Sequence, residues 1–272
     1  MKSTRHLCVL VCAVLAVACS KNSGNSTASR VGGGHAAANA TPAPGTGEAA
    51  ASSGQLVAAH DPAHPPIDCP LRKQGLDPAH LRPFEDTAKY IAFLERPDRA
   101  AWQKPDAVVA ALGLSGKETI VDIGAGSGYF SFRLARAVPE GKVIALDVEP
   151  EMIRHIHHKA MTEGVPNLQV ALAKPDDPGV PAQADLVFMC DVLHHIQDRP
   201  AWLAKLASQM RKRARLVLLE FKQGKLPEGP PESVKLSRAQ VVTLATSAGL
   251  VLDSETPDLL PYQTFLVFRK AP

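Results

Sequence analysis

Residues 121–130 read Val-Asp-Ile-Gly-Ala-Gly-Ser-Gly-Tyr-Phe, with three alternate glycines, Gly124, Gly126 and Gly128, directly after an apolar run. A turn this tight requires positive φ, and a ligand lying against the backbone leaves no room for a Cβ; glycine meets both demands. A helix opening at Tyr129 turns unpaired N–H groups and a partial positive charge toward a carboxylate or phosphate. Asp147 ends the next apolar run, 19 residues beyond Gly128. A carboxylate there can accept hydrogen bonds from both hydroxyls of a ribose. Further along, Asp191-Val192-Leu193-His194-His195 closes another apolar run. Imidazole titrates near neutrality, so either histidine can take a proton from an oxygen nucleophile. The plainer role is packing under the loop and capping backbone carbonyls.

These groups work together only if strands and helices carry them to one sheet edge. Short apolar strands are expected at Thr119 to Ile123, Lys142 to Asp147, Leu168 to Leu172, Leu186 to Cys190 and Leu216 to Glu220. The third and fourth read as buried on both faces because their apolarity is continuous. Between them, Phe130, Leu134, Ala137 and Val138 stripe one helix that Pro139 stops. Met152, Ile153, Ile156 and Ala160 stripe a second, and Pro200 to Met210 forms a third. Ser237 with Gln240 makes a capping box for a last helix, which Gly249 ends. Two upstream helices are expected at Glu85 to Leu94 and Pro105 to Leu112.

Val251 to Glu255 and Thr264 to Arg269 are separated only by a loop, so they must pair antiparallel. The expected fold is α/β: a doubly wound, mostly parallel seven-stranded sheet with an antiparallel last strand. Its ligand belongs at the carboxyl edge, where strand order reverses. His155 and His158 face away from the Met152/Ile156 stripe and read as a solvated face. The Gly- and Pro-rich stretch Lys222 to Lys235 is either a cover over the sheet edge or an ordinary connection.

The glycine spacing selects among nucleosides. A dinucleotide fingerprint needs G-x-G-x-x-G, but its third glycine falls on Tyr129 counted from Gly124 and on Ser131 counted from Gly126. That disfavours a nicotinamide oxidoreductase. From Asp122 the segment instead resembles D-x-G-x-G-x-G, motif I of class I S-adenosylmethionine-dependent methyltransferases. The resemblance runs from Trp102-Gln103-Lys104-Pro105 to Arg269 and includes Asp191 to His195. It implies a Rossmann-like methyltransferase fold, S-adenosylmethionine as cofactor and a small-molecule acceptor of the quinone-biosynthesis type. By the resemblance, Asp122, Gly124, Gly126 and Gly128 hold the methionine end, Asp147 the ribose and Val148 the adenine, with Asp191 near the sulfonium. The family's adenine-binding Asp aligns on Lys174, and Asp176, before Asp177, is the expected substitute. The loop lacks the Asn-Pro-Pro-Tyr of enzymes that methylate exocyclic amines of bases or glutamine.

A sulfonium is already a strong electrophile, so such a protein chiefly aligns a nucleophile with the methyl group and excludes water. His194 or His195 is the expected base. A second reading, an anchored nucleoside-binding protein without turnover, is motivated by Lys174 and by the N-terminus.

There, Lys2 and Arg5 precede an apolar stretch, Leu7 to Ala18. As a helix it would span about 18 Å, short of the roughly 30 Å hydrocarbon core, which suits a cleaved signal peptide. Leu15-Ala16-Val17-Ala18-Cys19 resembles a bacterial lipobox, implying lipidation of Cys19, with Ser20 the type sent to the outer membrane. A misassigned start codon would make the protein cytoplasmic. The expected organisation is a signal peptide (1–18), a flexible tether (19–59) rich in Ser, Gly, Ala and Pro, a wrap and helix (60–101) and the catalytic domain (102–272). His60, His64 and Cys69 fit no compact zinc pattern.

The composition agrees with a globular domain on a tether. Of 272 residues, 45% are hydrophobic, enough for a substantial core. Thirty basic against 27 acidic side chains, with no basic block, disfavour nucleic acid as a partner. No membrane contact is expected beyond the lipid anchor.

Overall fold

The computed structural model describes residues 84–271, with side chains from Thr87 onward. The expected signal peptide, tether and first part of the wrap, with Cys19, His60, His64 and Cys69, lie outside the described residues. The seven strands are β1 (Thr119–Ile123), β2 (Lys142–Asp147), β3 (Leu168–Leu172), β4 (Leu186–Cys190), β5 (Arg215–Phe221), β6 (Leu250–Glu255) and β7 (Gln263–Lys270). They form one sheet in the order β3-β2-β1-β4-β5-β7-β6. The first five pair in parallel, and β7 runs antiparallel to both β5 and β6. Strand order therefore reverses between β1 and β4.

Upstream stand α1 (Phe84–Leu94), α2 (Arg99–Gln103) and α3 (Pro105–Ala111). The crossovers carry α4 (Ser131–Ala137), α5 (Pro150–Glu163), α6 (Arg199–Gln209) and α7 (Arg238–Ser247). Four of these starts have a local cause. Pro105 and Pro150 lie in the first turns of α3 and α5, where a missing N–H costs nothing. The Asp198 side chain accepts from Ala201 N in α6, and Ser237 with Gln240 closes the expected capping box on α7. Gly249, at φ 83°, follows α7 as expected.

Two apolar clusters sandwich the sheet. One centres on Ile120, Leu134, Phe188 and Val217, the other on Val121, Val187, Leu203, Leu218 and Phe268. Burying each large side chain is worth ~1.5–3 kcal/mol, and a one-residue slip of any strand would turn its set to the wrong face. Among the described residues no helix is long and apolar enough to cross a membrane.

Three expectations are corrected. β3 is not buried on both faces: it is an edge strand with one neighbour, and of its residues only Leu168 is fully buried. The helix after the glycines opens at Ser131, because Tyr129 and Phe130 are still in the turn. A separate short helix, α2, stands before Pro105; Lys104, at φ 43°, makes the bend between α2 and α3.

Candidate active site

Parallel pairing sets the carboxyl ends of β1, β2, β4 and β5 along one edge, and antiparallel β7 brings its first residue there, Gln263 beside Phe221. Every candidate residue lies on or near this edge.

The glycine turn leaves β1 with φ of 69°, 55° and 82° at Gly124, Gly126 and Gly128. Space is as decisive as φ. A Cβ on Gly124 would lie 2.3 Å from Val192 Cγ2, and one on Gly128 2.9 Å from Phe132. The turn hangs from β2: Gly124 N and Ala125 N donate to Leu146 O at 2.8 and 3.0 Å. Asp147 then takes Gly126 N–H on Oδ2 at 2.8 Å and Glu149 N–H on Oδ1 at 2.9 Å. Each oxygen retains a second lone pair for a diol. Burial raises the Asp147 pKa, and the two backbone bonds oppose the rise. Val148 is 55% exposed, an open apolar platform beside it.

Asp122 occupies a different position from the one expected of a ligand. It is buried, and Ser131 Oγ donates to its Oδ2 at 2.5 Å. Burial pushes its pKa up to about 7. It braces the start of α4 against β1. Asp176 is exposed, and its main-chain oxygen accepts from Lys205. The Asp177 carboxylate is taken by Gln209 and the Gly179 amide, with Lys205 at 3.2 Å. Asp176 thus keeps the freer carboxylate of the two.

Asp191 leaves β4 at φ 60°, a conformation Asp tolerates better than most residues. Its carboxyl meets Gln263 of β7 and Gln103 of α2. Next to it stands a pair no sequence pattern disclosed: His194 Nδ1 lies 2.7 Å from Glu220 Oε2 of β5, while Leu193 N donates to Glu220 Oε1 at 2.7 Å. Both side chains are nearly inaccessible. Arg199 fixes the same loop by donating to Leu193 O and His194 O at 2.9 and 2.7 Å. The His195 ring lies 4.1 Å from that of His194, and desolvation and this neighbour lower its pKa. Glu220 did leave a signal, a lone carboxylate inside the apolar run Leu216 to Phe221.

The N-terminal elements cover this edge. Leu94 of α1 comes within 3.2 Å of where a Gly126 Cβ would stand. Arg99 donates to Leu94 O at 2.6 Å, with its guanidinium 4.0 Å above the Tyr129 ring. Glu95 pairs with Lys159 at 2.7 Å and His155 at 3.6 Å on α5. Burial raises the Glu95 pKa, but its interactions with His155 and Lys159 outweigh it and hold it at about 2. The solvated face expected for His155 and His158 is corrected: both are half-buried, and His155 meets Glu95, which follows α1. The Lys222–Lys235 stretch packs on the N-terminal segment and on the end of β5, with Glu228 bound to Arg96 and Gly229 against Phe221. Trp102 lies against Phe221 and Tyr262, ring centroids 5.6 and 6.0 Å away.

Among the described residues, Ser127 Oγ, Tyr129 Oη and Trp102 Nε1 are buried without hydrogen-bond partners. All three belong to the glycine turn or the elements over it. A buried polar atom left unpaired costs ~1–3 kcal/mol, so the turn is built to meet polar groups. With the Asp147 carboxylate, the Val148 platform and Asp191, these residues fit an adenosyl amino acid.

Comparison with known proteins agrees with this geometry. Residues 121–216 match the family model described as a methyltransferase domain. The malonyl-[acyl-carrier protein] O-methyltransferase of Hahella chejuensis is 29% identical over 145 residues, 49% of this chain and 50% of that protein. The aklanonic acid methyltransferase of Streptomyces sp. is 30% identical over 123 residues, 44% of this chain and 56% of that protein. The chain thus spans about half the length of these curated relatives. An S-adenosylmethionine-dependent methyltransferase from Aquifex aeolicus superposes with a TM-score of 0.63 at 25% identity, over 67% of this chain and 97% of that one. The described domain has the Rossmann-like methyltransferase fold.

Proposed function

We propose that this chain is an S-adenosylmethionine-dependent methyltransferase acting on a small-molecule acceptor. The observation that carries the reading is the glycine turn hydrogen-bonded to Asp147 at the reversal of strand order. The Gly124–Gly128 turn would hold the methionine portion, Asp147 the ribose diol and Val148 the adenine face. When bound, the cofactor supplies an electrophilic methyl group on a sulfonium, ready for in-line displacement.

The protein's own contribution is orientation, dryness and a base. Glu220 holds His194 through Nδ1, which leaves Nε2 to receive a proton from an acceptor hydroxyl. Among the described residues His195 has no such carboxylate to orient it, so His194 is assigned as the base. The α1–α2 segment and the Lys222–Lys235 loop exclude water. Calorimetry of the purified protein with S-adenosylmethionine and S-adenosylhomocysteine tests the reading. Binding of both, lost in Asp147→Ala, supports it; no heat with either overturns it.

An envelope location belongs to the same proposal. Lys2, Arg5, the apolar Leu7–Ala18 and Cys19 support export and lipid anchoring, with Ser20 pointing to the outer membrane. Intact-mass measurement checks it: a mature chain beginning at lipidated Cys19 is expected, and an unprocessed Met1 contradicts it.

A further inference from the structure

Asp191 is held by two glutamines from opposite ends of the domain. Gln263 Nε2 donates to both carboxylate oxygens, at 2.8 and 2.7 Å. Gln103 Nε2 donates to Gln263 Oε1 at 3.2 Å and lies 3.4 Å from Asp191 Oδ2. Arg99 Nε donates to Gln103 Oε1. Both glutamines are essentially inaccessible, at 0% and 1% exposed. An arginine has only donors, so it draws the Gln103 oxygen to itself and leaves the Gln103 NH₂ to face Gln263. That in turn points the Gln263 NH₂ at Asp191. The relay runs one way, from guanidinium to carboxylate.

The arrangement suits an ionised Asp191. One NH₂ shared between two oxygens needs two acceptors, and protonation would turn one of them into a donor. The charged and titratable groups around Asp191 pull in both directions. Glu220 of β5 opposes the anion; the adjacent Cys190 thiol, which donates to Oδ2, Arg99 of α2 and His194 of the same loop when protonated favour it. Burial, then Glu220, push the Asp191 pKa up to about 7, against Gln263, Arg99 and His194.

We propose that Gln263, oriented by Gln103 and Arg99, is a positioning residue that keeps Asp191 a carboxylate and so makes the site prefer the sulfonium donor to its neutral-sulfur product. The inference rests on the reading of the site as an S-adenosylmethionine site. Val192, next to Asp191, abuts Gly124 of the turn that would hold the methionine portion; donor and product differ there by one positive charge, and a half-buried carboxylate feels that difference far more than one in water. Donor affinity therefore rises with pH as Asp191 ionises, and product affinity changes less.

Calorimetric titration of the full chain with S-adenosylmethionine and S-adenosylhomocysteine, from pH 5.5 to 8.5, reads this directly. In the wild-type protein, donor binding strengthens by about tenfold per pH unit below the midpoint, with a flatter product curve. Gln263→Leu moves the donor midpoint up by about one unit, and Gln103→Leu moves it the same way by less. A Gln263→Leu protein that melts like the wild type and keeps its midpoint overturns the inference. If that variant does not fold, a folded Gln103→Leu protein with an unmoved midpoint overturns it equally. Absence of donor binding by the wild type at every pH overturns the methyltransferase reading, and this inference with it.

Discussion

Asp147 and Gly126 are joined by a 2.8 Å hydrogen bond from the glycine amide to Oδ2. The acid proposed for the ribose therefore also holds the turn proposed for the amino acid. Two parts of a binding site far apart in sequence are set by one contact across neighbouring strands.

Asp147→Asn should weaken S-adenosylmethionine binding by about 10- to 100-fold, since hydrogen bonds to a charged group are worth ~1.5–3 kcal/mol. An amide retains one acceptor oxygen but presents donors on the other side. Isothermal calorimetry gives the number, and a change below threefold would sink the assignment.

Gly124→Ala is expected to destabilise the fold on two counts, the positive φ and the collision with Val192. Urea melts should show a loss of ~2–4 kcal/mol, combining backbone strain with overpacking. The double variant Gly124→Ala/Val192→Ala separates the counts. It should relieve the collision and leave the backbone strain, so its loss exceeds that of Val192→Ala alone.

Glu220→Gln should lower kcat by about 10-fold or more with little change in donor affinity. His194→Ala should cost about 10²–10⁴ in rate, the range for a general base. His195→Ala should cost far less. Equal losses at the two histidines, in steady-state assays with a competent acceptor, would remove His194 from its role.

The buried Asp122 carboxyl sets a pH signature on stability. Burial raises its folded pKa to about 7 from 3.8. Between those values the unfolded chain binds fewer protons than the folded one, so this group costs stability as pH rises from about 4 to 7. Asp122→Asn keeps an acceptor for Ser131 and cannot ionise. Its melting temperature, relative to the wild type, should climb across that window and level off above it. A constant difference from pH 4 to 8 would contradict burial of Asp122 as the cause.

Glu95 carries the opposite sign. His155 and Lys159 hold its pKa at about 2, so its contribution is complete above pH 4.5 and fades as pH falls toward 2. Glu95→Gln should loosen the α1 cover and speed donor release in stopped-flow displacement. An unchanged release rate would mean that α1 does not gate the site.

Short-range patterns carried much of the architecture. Alternating apolar runs, Pro139, the Ser237–Gln240 box and the alternate glycines are local instructions, each satisfied by a few consecutive residues. They determined the order of strands and helices, the positive-φ turn and the antiparallel finish. The edge position of β3 was barely legible: its one sign is the polar Gln169 inside Leu168–Leu172, and a strand's neighbours are not otherwise written in its own residues. The partners of side chains were hidden for the same reason. Glu220 under His194, Gln263 and Gln103 around Asp191, and Glu95 against α5 each join residues from separate elements. Only the strand order brings β5 beside β4 and the start of β7 to the same edge, and burial then turns those proximities into hydrogen bonds and shifted pKa values. The chain by itself specified which groups could do chemistry; the folded sheet decided which of them meet.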